Sequence, residues 1–95
     1  MPAYLIADVE VHDPDAYAEY RRQVLPLVQK HGGRFIVRGG AHRVLEGDWA
    51  PRRLVVIEFP DMATLDAWYG SPEYAKLIAL RQRVSRGSLV AVEGA

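Results

Sequence analysis

Along this chain, four short segments are rich in β-forming residues and apolar at odd and even positions alike, while two longer ones repeat their apolar residues at the spacing of a helix. The strand-like segments are residues 4–11, 34–45, 53–59 and 88–93. Asp13-Pro14 announces the first helix, pairing an acceptor for a free first-turn amide with a residue whose φ is already helical. It is expected to run to about Lys30 on a stripe of Tyr17, Tyr20, Val24, Leu27 and Val28, with a kink or break at Pro26, and to stop at His31-Gly32-Gly33. Asp61 caps the second helix, which carries Met62, Leu65, Trp68 and Tyr69, stops at Gly70 and restarts at Ser71-Pro72, ending near Ser85. Within 34–45, Gly39-Gly40 suits a bulge, which switches the face that later side chains occupy. Residues 46–51 are turn-like, so the second and third strands form a hairpin.

The order βαββαβ, joined by right-handed crossovers, predicts an α+β domain. It is a ferredoxin-like plait with a four-stranded antiparallel sheet and both helical segments on one side. One expected face carries Leu5, Ala7, Val9, Val11, Phe35, Val37, Val55, Ile57, Phe59, Val90 and Val92, and belongs under the helices. The other mixes Tyr4, Ile6, Ile36, Leu54, Val56 and Leu89 with Asp8, Glu10, Arg34, Arg38 and Glu58. Two helical segments cover one face only, so the second face needs protein from elsewhere. Covering on the order of several hundred Å² at about 25 cal/mol per Å² contributes several kcal/mol, comparable with the whole stability of a small domain. The expected partner is a second copy, giving a homodimer with sheets face to face.

Composition narrows the function more than it defines it. Ninety-five residues without a linker or repeat predict a single domain, 1–95. Twelve basic residues balance twelve acidic ones and form no long basic run, which argues against nucleic-acid binding. The absence of cysteine removes disulfide, thiolate and zinc-thiolate chemistry, in keeping with a cytoplasmic protein. No charged leader and no apolar run near the roughly 20 residues of a membrane span is present, so no membrane association is expected. Dinucleotide and phosphate-loop glycine patterns, a Gly-x-Ser-x-Gly elbow and a His-Glu-x-x-His zinc helix are all missing.

Several strings taken together resemble one family: Tyr17-x-x-Tyr20, His31-Gly32-Gly33, Arg38-Gly39-Gly40, Leu45-Glu46-Gly47-Asp48-Trp49, Val56-Ile57-Glu58-Phe59-Pro60 and Trp68-Tyr69-x-Ser71-Pro72-Glu73-Tyr74. The chain is similar over nearly its whole length to the uncharacterised family catalogued as domain of unknown function 1330. That resemblance implies the dimeric α+β barrel superfamily, which also holds cofactor-independent monooxygenases, muconolactone isomerases, haem proteins of the chlorite dismutase kind and stress-responsive barrels. It implies no settled activity and supplies no catalytic set.

Four groups of residues are candidates for chemistry. Arg81 falls among Tyr74, Leu77, Ile78 and Val84 on a helical wheel, and Arg21 between Tyr17 and Leu25. Each can anchor a carboxylate in a sheltered pocket, although the commoner use of such an arginine is to lay its stem on the core edge with its head in water. Charges on the open sheet face either pair across an interface or, if enclosed, shift their protonation. Arg38, beside two glycines, is the one with the character of a ligand contact. His42 has Glu46 four residues on, but on a strand these lie about 13 Å apart, so no metal is assigned. The aromatic cluster of Trp68, Tyr69 and Tyr74 at the helix break can wall a pocket or simply fill the core.

The leading expectation is a homodimeric barrel that holds a small acidic or aromatic molecule near Tyr17, Arg38, His42, Trp68 and Arg81. Used as an enzyme it would need no cofactor, with His42 or an enclosed carboxylate moving a proton and an arginine steadying an enolate. The alternative is a non-enzymatic dimerisation or stress-responsive module. In that case Arg38, His42 and Arg81 would all be paired with protein groups and no cavity would remain.

Overall fold

In the computed structural model, which describes residues 1–95, the pairing of one central strand fixes the sheet. That strand, β1 (Ala3–Val11), has short apolar side chains at alternate positions and lies antiparallel to β3 (Leu54–Phe59) on one side and β4 (Ser85–Glu93) on the other. A short edge strand, β2 (Arg34–Arg38), pairs with β3 and completes the order β2-β3-β1-β4. Helices α1 (Pro14–Lys30), α2 (Met62–Tyr69) and α3 (Pro72–Val84) supply the second layer. This is the α+β ferredoxin-like plait expected from the order of elements.

The caps form where the side chains predict them. Asp13 accepts from the Ala16 amide, Asp61 from Thr64, and Ser71 from Tyr74. The buried residues of α1 are the stripe read from its spacing: Tyr17, Tyr20, Val24, Leu27 and Val28. Pro26 does not break the helix. It sits on the exposed side of the helix, as does Arg22, whose carbonyl it deprives of a partner.

Three expectations about the strands need correction. β2 ends at Arg38, not at residue 45, and residues 39–53 form a long exposed connection. Gly39, at φ +73°, turns the chain off the ladder, and its amide makes a last bond to the Leu54 carbonyl at 2.7 Å. The bulge lies at Ile36, not at the two glycines: Phe35 opposes Ile57, Val37 opposes Val56 and Arg38 opposes Val55. Ile36 and Val37 are therefore both exposed, and Arg38 shares the helix side with Val55, opposite to the face expected.

β4 starts at Ser85, three residues early, with inverted parity. Ala7 opposes Leu89 and Ile6 opposes Val90, so Leu89 packs toward the core while Val90 and Val92 stand 58% and 43% exposed on the open face. Gly87 belongs to the strand, where a side chain would run into the Asp8 carbonyl.

The core of 17 apolar residues lies between sheet and helices, with Trp68, Tyr74, Phe59 and Val28 fully buried. No helix is long and apolar enough to cross a membrane.

Candidate functional site

The core is incompletely filled at one place. Between α1, α3 and the helix side of the sheet lies a narrow cleft with about 40 Å³ of interior free space, open on one side to bulk water. Its walls are built by local rules. Ser71 latches the broken helix, since its hydroxyl donates to the Trp68 carbonyl at 2.8 Å and accepts from the Tyr74 amide at 3.2 Å. The latch brings the rings of Trp68 and Tyr74 into a stack with centroids 4.2 Å apart. On α1, Tyr17 and Tyr20 face the same space with ring centroids at 5.4 Å, and the hydroxyls of Tyr20 and Tyr74 share a buried hydrogen bond of 2.8 Å.

Four arginines line this cleft, Arg21, Arg38, Arg53 and Arg81, together with aromatic and aliphatic groups and no aspartate, glutamate or histidine. Arg81 is only 6% exposed. Arg38 lies over the Phe35 ring at 4.7 Å, and Arg53 faces the Tyr17 ring at 5.8 Å. The ion pairs of the chain, Arg22–Glu19, Lys30–Glu73, Arg34–Glu58 and Arg86–Glu10, involve none of these four. Three buried side-chain nitrogens lack a hydrogen-bond partner: Nε of Arg53, Nε1 of Trp68 and Nε of Arg81. All three are donors, and all three residues line the cleft.

The phenol pair keeps one proton to donate, the other being spent on the Tyr20–Tyr74 bond. Burial, first, and then the neighbouring Tyr74 hydroxyl push the Tyr20 pKa far up, and burial likewise raises that of Tyr74 against the opposing Arg81 charge. Both stay protonated at neutral pH. The cleft therefore offers cationic and neutral donors and lacks a carboxylate or imidazole to act as base.

The fold brings together four of the five residues singled out from the sequence: Tyr17, Arg38, Trp68 and Arg81. His42 is not among them. It lies exposed in the 39–53 connection, with Nε2 at 2.9 Å from the Pro51 carbonyl, outside the cleft. Sequence reasoning missed Arg53, whose alternation with Val55, Ile57 and Phe59 already places it on the helix side, and the Tyr20–Tyr74 pair, which exists only through α1 and α3 packing.

The open-face charges are satisfied within the chain. Glu58 accepts from Arg34 Nε at 2.7 Å and from the Tyr4 hydroxyl at 3.1 Å, and Arg34 first, then Tyr4, holds its carboxyl below the usual range. Asp8 accepts from Trp49 Nε1 and the Arg52 amide, both at 2.9 Å, which lowers its pKa and ties the long connection to the sheet. These are structural uses.

A family model described as "Domain of unknown function (DUF1330)" matches residues 2–95. No curated protein matches the chain. Among solved structures, a protein of unknown function from Rhodopseudomonas palustris is similar with a TM-score of 0.76 at 22% identity, covering 99% of this chain and 82% of that one. A dimeric ferredoxin-like protein of unknown function from Jannaschia sp. CCS1 gives 0.73 at 19%, covering 99% and 100%. SnoaB, a cofactor-independent oxygenase from Streptomyces nogalater, gives 0.68 at 11%, covering 99% and 93%. At these identities the likeness is one of fold.

Proposed function

The chain belongs to the family of domain of unknown function 1330, whose description names no activity, and from that premise we propose that it binds a small acidic molecule at the cleft between helices and sheet. The observation that supports this is the coincidence of the unpartnered buried donors, on Arg53, Trp68 and Arg81, with a cleft lined by four arginines that no carboxylate pairs. Burying a cation or an N–H donor without an acceptor costs on the order of 1–3 kcal/mol or more each, and an incoming carboxylate or phenolate offsets that cost. Trp68 and Tyr74, stacked on each other and all but fully buried, back the cleft from within the core. The dimerisation-module alternative asks for Arg38, His42 and Arg81 all paired inside the protein; His42 meets the Pro51 carbonyl and Arg81 meets the Tyr74 oxygen, whereas no carboxylate pairs with Arg38 or Arg81.

An enzyme of the kind SnoaB is described as is a second reading, favoured by the shared fold and by the same arginines, because an enolate or phenolate is the electron-rich form they would stabilise. No carboxylate or imidazole lines the cleft and His42 lies outside it, so in this reading the substrate would arrive already ionised.

A homodimer belongs to the same proposal. The Jannaschia neighbour is dimeric, and here Ile6, Leu54, Val56, Val90 and Val92 leave an apolar open face that a second copy would cover. Thermal shift with a panel of small acids tests the binding reading. Stabilisation of the wild type that Arg81→Gln abolishes is expected, and a panel without effect, or an effect that survives Arg81→Gln, overturns it.

A further inference from the structure

The long connection between β2 and β3 is built and held. Residues 42–51 carry no helix or strand, yet their ends are tied, since His42 Nε2 lies 2.9 Å from the Pro51 carbonyl. Asp8, on the open side of β1 with Ile6, then accepts from both Trp49 Nε1 and the Arg52 amide. These bonds hold the loop at the open-face side of the sheet, and ordering a segment costs conformational entropy for every residue in it. What the ordered loop presents is apolar: Val44, Leu45 and Trp49 stand 48%, 79% and 60% exposed. Leu54, on the open face of β3, lines the same groove as these three, so loop and sheet form one continuous apolar surface. Apart from Met1 and Tyr69, every strongly exposed large apolar residue lies on this loop or on the open sheet face.

The sheet face alone is small for a stable dimer. Strands of nine, five, six and nine residues, at about 3.3 Å per residue and about 4.8 Å between strands, give a footprint of about 460 Å². A standard stable interface takes about 800 Å² from each partner. In a two-fold pair each contributed segment counts twice, so a loop that reaches across from either copy supplies much of the difference. From this, and resting on the reading of the open face as a homodimer interface, we infer that residues 42–51 are a clasp. The loop of each copy lays Val44, Leu45 and Trp49 on the second copy of the chain. Asp8 holds the clasp in its docking shape, which gives a use to a carboxylate standing among the apolar groups of the open face.

Sedimentation equilibrium of the full chain tests the inference, with the dimer dissociation constant as the quantity read. Leu45 is the residue to change, because at its exposure it contributes little to the packing of its own protomer. Leu45→Asp is expected to raise the dissociation constant at least about tenfold, since a two-fold dimer loses the contact at two places. Acrylamide quenching gives a second measurement on the unaltered chain. Trp68 is fully buried, so the quenchable fluorescence belongs to Trp49. Quenching should be at least about twofold weaker in the wild-type dimer than in monomer, obtained by dilution or as the open-face variant Val90→Asp, as burial of an aromatic anchor at an interface requires. A Leu45→Asp protein that dimerises as tightly as the wild type, with Trp49 equally quenchable in dimer and monomer, overturns the clasp and leaves the sheet pairing standing. A wild type that stays monomeric overturns both.

Discussion

Replacing Arg81 by methionine keeps most of the buried stem and removes the charge, and the ligand-free protein is expected to become more stable. Arg81 is 6% exposed, its Nε has no partner, and no carboxylate lines the cleft around it. The oxygen of Tyr74 is the nearest compensation and offsets only part of the desolvation. Exchanging buried charged groups for apolar ones of similar volume stabilises proteins by about 1–4 kcal/mol, and the partial compensation places Arg81→Met in the lower half of that range. For a chain of this length each kcal/mol moves the thermal midpoint by about 4–8 °C. Calorimetry at fixed protomer concentration should therefore show a rise of at least about 4 °C, together with loss of any stabilisation by small acids. A midpoint that falls would mean that the charge is already balanced within the free protein, and the argument for a ligand anion would lose its foundation.

Gly39→Ala should destabilise by about 1–3 kcal/mol and weaken acid binding, because φ is +73° there and the new methyl would displace the Arg53 head, whereas Gly40→Ala, with open space around it, should be near neutral. Chemical denaturation of the two variants side by side measures this. Stability should be level between about pH 5 and pH 9. Below that range it falls as Asp8, Glu58, Asp61 and Glu73, whose folded pKa values lie under their ordinary 3.8 and 4.5, take up protons the unfolded chain binds more readily. Above about pH 10 the unfolded chain ionises tyrosines that Tyr20 and Tyr74 keep protonated in the fold, so stability declines there too, and denaturation midpoints across pH check both limbs. Sedimentation should find a dimer at micromolar concentration, and Val90→Asp, which puts a charge on the apolar open face, should yield monomer; a monomeric wild type would refute the face-to-face pairing.

The helices were legible because their signals are local. A cap needs one side chain and a nearby amide, so Asp13, Asp61 and Ser71 could be read directly, and the α1 stripe follows from spacing alone. Strand parity was legible only where side chains alternate in size or polarity. Leu89, Val90, Ala91 and Val92 are all apolar, so nothing in their order tells which pair faces inward; pairing with β1 decides it. Glycines drew attention to 39–40 as the bulge, yet an edge strand with one neighbour can absorb an extra residue at Ile36 by disturbing one ladder only. That shift carried Arg38 into the candidate site by a different route from the one expected. His42 lies outside the cleft because its segment is not strand, and its position depends on the Asp8 anchor of Trp49 and Arg52, a contact more than forty positions away along the chain.

The extra residue at Ile36 makes a single length decision serve two surfaces. With it, Ile36 and Val37 both turn toward the side where another subunit would dock, and the guanidinium that follows turns toward the chamber. Shortening this strand by one position would send that cation outward among greasy neighbours and strip the chamber of its outermost charge. Spacing along this border strand thus decides both which apolar side chains stand on the outer surface and whether the guanidinium turns inward.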